Sequence, residues 1–276
     1  MKIALLYNKT KQATIDMTHD LAKYLYAREI EIMTCNNSPG VPLDKLDKMD
    51  FSSCDAGIVL GGDGTLLAAV RALSPCGVPL FGVNMGRVGF LASVETADVY
   101  SAVDRLLEGD YSMRERLIIK ATVGRDDESS SSEYTAFNDF VVETGAYSRA
   151  ITFDLDIDSQ PINSYNADGV IVSTPTGSTG YSLSAGGPIL MDDLDITLIT
   201  PVCPHTFFSR PIVAKAESIV DILCRSNASL TADGQFRVLL KKGDKVSISA
   251  ADHKAKIIEF NKNDYFERIK NKLYRI

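Results

Sequence analysis

The sequence predicts an α/β amino-terminal domain built on a parallel, Rossmann-like sheet, followed by a β-rich, sandwich-like carboxyl-terminal domain. Two observations predict this. Through about residue 110, short apolar runs alternate with stretches of helical spacing; beyond it, β-like runs follow one another and helical periodicity nearly vanishes. A third bounds it: 276 residues at 45% hydrophobic content bury a sizeable core, in one large domain or two smaller ones.

In chain order, residues 3–7 are a continuous apolar run, and Met17, Leu21, Tyr24 and Leu25 stand at helical spacing within 14–27. Residues 30–33, 56–60 and 79–83 read as buried strands. Residues 66–73 read as a helix directly after a glycine turn, and 99–107 as a helix ended by Glu108-Gly109. The β-α-β-α order implies ligands at the carboxyl ends of the strands. The β-like runs that follow are 117–123, 136–142, 151–157, 169–173, 196–200, 218–223, 238–240, 245–249 and 256–260. The polar stretch 126–133 reads as a solvated hairpin tip. The expected domains are therefore 1–110, 111–260 and a basic amphipathic tail, 261–276, forming a terminal helix docked on the first domain.

Charge and composition narrow the function. Asp and Glu number 36 against 29 Lys and Arg, a net charge of −7, which argues against nucleic acid as the main ligand. No apolar run reaches the roughly 18 residues of a membrane span, and the first six residues turn polar too soon for a signal peptide. The expected address is cytoplasmic, without membrane contact. Five cysteines without a C-x-x-C pair read as reduced packing residues. Three dispersed histidines offer no zinc-ligand spacing, so no protein-ligated transition metal is expected.

Glycine is unevenly placed: 13 of 19 fall within 57–89 and 169–187. Glycines gather where backbone turns sharply or a ligand approaches closely. The first window holds Leu60-Gly61-Gly62-Asp63-Gly64-Thr65-Leu66 at a strand-to-helix junction, where backbone N–H groups and the positive end of a helix dipole suit a phosphate. A carboxylate between the glycines is out of place in a pure anion site. Asp63 then either accepts a proton from a sugar hydroxyl, helps to hold Mg²⁺, or simply caps the helix. The segment Val83 to Leu91, with Asn84, Gly86, Arg87 and Gly89, repeats the strand-then-glycine pattern, as a second cleft wall or as a tight turn. In the second window, eight of the twelve residues from Ser173 to Ser184 carry a hydroxyl. They offer uncharged donors and acceptors to a polar heterocycle and ribose, with Tyr181 available to stack; a Ser/Thr-rich exposed turn is the alternative.

Gly61-Gly62-Asp63-Gly64-Thr65, Asn138-Asp139, Asp168-Gly169, the block Ser173 to Tyr181, Cys203-Pro204-His205, Arg210-Pro211 and Asp233-Gly234-Gln235, in this order, resemble the signatures of the NAD kinases. The resemblance implies transfer of the γ-phosphoryl of ATP, or of polyphosphate, to the adenosine ribose 2′-hydroxyl of NAD. By it, Asp63 accepts the hydroxyl proton with Gly64 beside it, and Asn138 and Asp139 hold the adenosine. Thr179, Gly180, Tyr181, Ser182, Leu183 and Ser184 surround the adenine and neighbouring groups, and Asp168 lies near the nicotinamide end. Arg149 and Gln235 match further binding positions, and Thr176 and Asn166 complete the set. His205 and Arg210 are either binding or packing residues. The resemblance further implies Mg²⁺ with the phosphoryl donor and a homodimer or homotetramer. Ala68 and Asn166 depart from the family, standing where basic residues are common. The glycine–aspartate motif alone is shared with lipid kinases, so a diacylglycerol-type kinase and a non-catalytic dinucleotide sensor are the rival readings.

Overall fold

The computed structural model describes residues 1–35, 38–86, 89–125, 132–144, 150–206, 209–260 and 269–270. The chain divides into two compact units, Met1–Arg116 with His253–Ile276, and Leu117–Asp252.

The first unit opens with β1 (Lys2–Tyr7), α1 (Gln12–Tyr26), β2 (Glu31–Met33), β3 (Val41–Pro42) and β4 (Ala56–Gly61). It continues through α2 (Asp63–Leu73), β5 (Leu80–Asn84), β6 (Val94–Glu95), α3 (Val99–Glu108) and β7 (Ser112–Arg116). The apolar runs of β1, β4 and β5 form parallel central strands, as continuous burial requires. Ile3, Leu5, Ile58, Leu60 and Phe81 pack in one cluster with Leu21 and Leu25 of α1 and Val103 and Leu106 of α3. The α3 stripe Val99, Ala102, Val103 and Leu106 has helical spacing, and the helix stops at Gly109, which takes the left-handed conformation (φ 75°). Register aligns the carboxyl ends: Tyr7 pairs with Leu60, and Gly61 with Asn84. The glycine–aspartate junction therefore stands at the edge of the sheet where α/β proteins build their sites.

The second unit supplies β8 (Ile119–Gly124), β9 (Ser132–Ala136), β10 (Asp139–Glu143), β11 (Ile151–Ile157), β12 (Gln160–Ala167) and β13 (Gly169–Ser173). After α4 (Tyr181–Ser184) come β14 (Ile196–Val202), β15 (Ile212–Lys215), β16 (Val220–Cys224), β17 (Ala228–Ala232), β18 (Phe236–Leu240) and β19 (Lys245–Ala250). They form two antiparallel sheets, ordered β15-β14-β13-β10-β17-β18 and β12-β11-β16-β19-β8-β9. Phe140, Val142, Val170 and Val172 of the first sheet share a core with Phe153, Leu155, Ile222 and Ile248 of the second, a sandwich. Because strand side chains alternate, Val141 and Ile171 face away from this core and pack with Val202 and Ala185.

The run 136–142, read from sequence as one strand, breaks at Phe137-Asn138, where the chain passes from β9 in one sheet to β10 in the other. The last strand among the described residues, β20 (Ala255–Glu259), belongs to the first unit, not to the β-rich region in which the sequence alone places 256–260. It lies between β5 and β7, parallel to the former and antiparallel to the latter. Glu259 ties β20 to β7 through Arg116 and Arg114, at 2.8 Å each. Apart from Ile269 and Lys270, which are helical, the expected terminal helix 261–276 lies outside the described residues, as does 126–131 of the expected hairpin tip. No helix among the described residues is long and apolar enough to cross a membrane.

Candidate active site

In the first unit Asp63 is the first residue of α2, where the helix dipole favours an anion. Its carboxylate does not serve as an N-cap; that position is Gly62, and no side chain caps it. Instead the carboxylate accepts the backbone N–H of Phe90 at 2.8 Å and of Leu91 at 3.2 Å. The second glycine segment thus holds the acid of the first. Its anchor is Asn84, fully enclosed at the end of β5, which accepts the N–H of Gly86 and donates toward Glu95. Gly64 is exposed, and a β-carbon at Gly62 would meet nothing within 4 Å, so this backbone edge faces open space. Ala68 is half-buried on α2. Arg87 lies outside the described residues.

In the second unit the turn 137–139 is clamped from both sides. The Asp233 carboxylate accepts the N–H groups of Phe137, Asn138 and Asp139, the Asn138 bond being shortest at 2.7 Å. Thr174 donates its hydroxyl to the Phe137 carbonyl (2.7 Å) and its N–H to the Asn138 carbonyl (2.8 Å). Gly177 is required beside this turn, since a β-carbon there would stand 2.1 Å from the Asn138 carbonyl oxygen. The turn brings Asp139 Oδ2 and Asn138 Nδ2 within 3.9 Å of the β-carbon position of Gly180. Asn138 Oδ1 and Thr176 Oγ1 are buried there without a hydrogen-bond partner among the described residues. Buried polar atoms are rarely left so, and these two stand ready for a polar ligand. Burial first, and the Asp233 charge second, push the Asp139 carboxyl up to about 7.

The hydroxyl-rich block is not the open donor surface that its composition suggests. Ser173, Thr174, Ser178 and Ser182 are fully buried, and their hydroxyls fold the loop itself. Ser178 bonds the Pro175 carbonyl and the Leu190 N–H, Thr179 donates to Thr176, and Ser182 pairs with Thr200 at 2.9 Å. Leu183 is half-buried and Ser184 exposed at the end of α4.

A second feature of this unit is a cavity of about 770 Å³. Asn166, Asp168, Tyr181 and His205, all singled out by sequence, line it together with Glu143, Thr144, Ala150 and Thr152. Main-chain bonds from His205 to Asn166 and from Thr144 to Asp168 fix the walls. Burial, followed by the charge of Glu143, raises the Tyr181 phenol above its ordinary value, so it is neutral. Glu143 escaped the sequence reading, although alternation along β10 places it on the face of Asp139 and Val141. Gln235 and Arg210 are exposed; Gln235 closes the β17–β18 hairpin, its N–H donating to the Ala232 carbonyl. Arg149 lies outside the described residues.

A parallel α/β unit with an acid set between glycines at the start of a helix, in one chain with a β-sandwich unit that gathers Asn138, Asp139 and a folded hydroxyl loop, defines a two-domain phosphotransferase class. Comparison makes it particular. Residues 3–111 match the ATP-NAD kinase N-terminal domain and 137–260 the ATP-NAD kinase C-terminal domain. The NAD kinase of Moorella thermoacetica is 35% identical over 278 residues, 99% of this chain and 89% of that protein. The NAD kinase of Koribacter versatilis is 44% identical over 219 residues, covering 78% and 76%. Among solved structures, an NAD kinase from Archaeoglobus fulgidus in complex with ATP superposes with a TM-score of 0.79 at 25% identity over the whole of both chains. A yeast NADH kinase complexed with NADH gives a TM-score of 0.91 at 22% identity, over 100% of this chain and 88% of that one, a likeness of fold. This chain belongs to the NAD kinase family.

Proposed function

We propose that the chain is an NAD kinase, transferring the γ-phosphoryl of ATP to the 2′-hydroxyl of the adenosine ribose of NAD and releasing ADP and NADP. The observation that carries it is the amide-held Asp63 at the start of α2, in a chain matched by both family domains. Family membership sets aside the lipid-kinase reading.

In this reading the ribose oxygen attacks the γ-phosphorus, the bond to the β–γ bridging oxygen breaks, and Asp63 collects the hydroxyl proton. An ionised carboxylate carries about four acceptor sites on two oxygens, the kind of group that can take up such a proton. Phosphoryl transfer has a loose transition state, and positioning with charge neutralisation supplies most of the catalysis. Asn138, Asp139 and Thr176 would hold the adenosine, consistent with the atoms of Asn138 and Thr176 that have no partner among the described residues. The cavity of Asn166, Asp168 and Tyr181 would take the remainder of the dinucleotide. Mg²⁺ would be bound by donor phosphate oxygens and supply positive charge at the transferring group; no group of three or more His, Cys, Asp or Glu gathers among the described residues.

A cytoplasmic address and a homodimer or homotetramer belong to the same proposal. The five cysteines are free, as a reducing compartment keeps them. Only Cys54 and Cys224 are buried; Cys76 and Cys203 are exposed, against the expectation that all five are packing residues. The deciding experiment is a coupled assay with an NADP-specific dehydrogenase, run with ATP and with polyphosphate as donors in the presence of Mg²⁺. NAD binding by calorimetry without NADP formation would replace the enzyme by a dinucleotide sensor.

A further inference from the structure

Asp233 occupies the first central position of a tight hairpin between β17 and β18. Asp233 (φ 51°) and Gly234 (φ 63°) are both left-handed, and the Gln235 N–H closes the turn on the Ala232 carbonyl at 2.9 Å. An Asp-Gly pair is a common choice for such a turn, and the turn alone would account for both residues. It does not account for where the side chain goes. The carboxylate leaves its own hairpin and gathers three consecutive N–H groups of the 137–139 turn, 94 to 96 residues away in sequence. In return the Asp233 N–H donates to the Asp139 carbonyl at 3.0 Å. Asp233 is itself buried, 9% exposed, a costly location for a charge unless its bonds perform a task. Thr174 holds the carbonyl side of the same turn, so the backbone of Asn138 is fixed at both its donor and its acceptor.

We propose that Asp233 is a positioning residue: its carboxylate sets the 137–139 turn so that Asn138 and Asp139 present their side chains to the adenosine moiety of NAD. The proposal rests on the NAD kinase reading for the identity of the ligand, and on the hydrogen bonds alone for the positioning.

Two substitutions separate positioning from the demands of the turn. Asp233→Gly keeps a residue at ease with positive φ and removes both acceptor oxygens, while Asp233→Asn keeps the turn and one acceptor oxygen. In the full chain, Asp233→Gly is expected to raise KM for NAD about tenfold or more, with kcat and KM for ATP changed less than about threefold. Asp233→Asn restores part of the loss. Amide exchange at Asn138 is faster in Asp233→Gly than in the parent. If both variants keep the parental KM for NAD, or if kcat falls while KM stays, the proposal is overturned and Asp233 is a turn residue only. Should Asp233→Gly fail to fold, Asp233→Asn decides, with a KM for NAD raised about threefold in favour and an unchanged value against. Absence of NADP formation by the parent would overturn the kinase reading; the exchange of the Asn138 amide would still test the positioning.

Discussion

Gly89 lies so close to Asp63 that a β-carbon on residue 89 would stand 1.9 Å from Oδ1 of the carboxylate. The contact is backbone against an acid held by the next two amides, so any side chain at 89 displaces either the loop or Asp63. Gly89→Ala is expected to keep the fold and to lower kcat by about tenfold to a hundredfold, a misplacement effect on the reacting group. Circular dichroism with the coupled assay checks this; parental turnover in the folded variant would contradict the pairing.

Asp63→Asn retains the size of the side chain and its place in α2 but cannot take a proton at neutral pH. Turnover should fall by about 10²–10⁴-fold, the usual contribution of a general base, while the NAD dissociation constant stays within a few-fold. Single-turnover kinetics beside calorimetry separate the two quantities.

The pH dependence of stability should reveal Asp139. Its carboxyl is raised from 3.8 to about 7, so between those values the folded chain takes up a proton that the unfolded chain has released. Asp139 therefore contributes fully at low pH and becomes destabilising as pH rises through this window. The melting temperature of Asp139→Asn, relative to the parent, should climb from about pH 4 to about pH 7 and then level off. A difference that is flat with pH would mean that Asp139 ionises as an ordinary carboxylate.

Thr174→Val conserves shape and removes a fully buried hydroxyl that donates to Phe137 at 2.7 Å and accepts the Gly177 N–H at 3.1 Å. Stranding a buried donor and a buried acceptor should cost about 2 kcal/mol or more. Denaturant unfolding measures it, and a loss under about 0.5 kcal/mol would show that the clamp is not rigid.

The alternation of β and α in the first unit is legible because its central strands β1, β4 and β5 are buried on both faces and read as apolar runs. Strands exposed along one side are not: β12, QPINSYNA, buries only Tyr165 and Ala167, and β7 buries only Arg116. The same physics limited the site. Asp63, Asn138, Asp139 and the hydroxyl block stand out as residue types in glycine-rich surroundings. What each hydroxyl bonds depends on partners such as Phe137 and Thr200, so composition does not tell which hydroxyls of the block fold the loop and which, like that of Thr176, have no partner among the described residues. The hold of Asp233 on Asn138 spans 95 residues and has no local signal beyond a turn-forming Asp-Gly pair.

The place of β20 between β5 and β7 bears on how this protein comes off the ribosome. Its first sheet stays incomplete, with β7 lacking the neighbour it pairs with, until everything from Leu117 to Asp252 has been synthesised. A nascent chain halted anywhere in that stretch exposes an unpaired strand edge, a template for aggregation. A chain shortened at the apparent end of the α/β region would discard β20 and leave that edge of β7 unpaired.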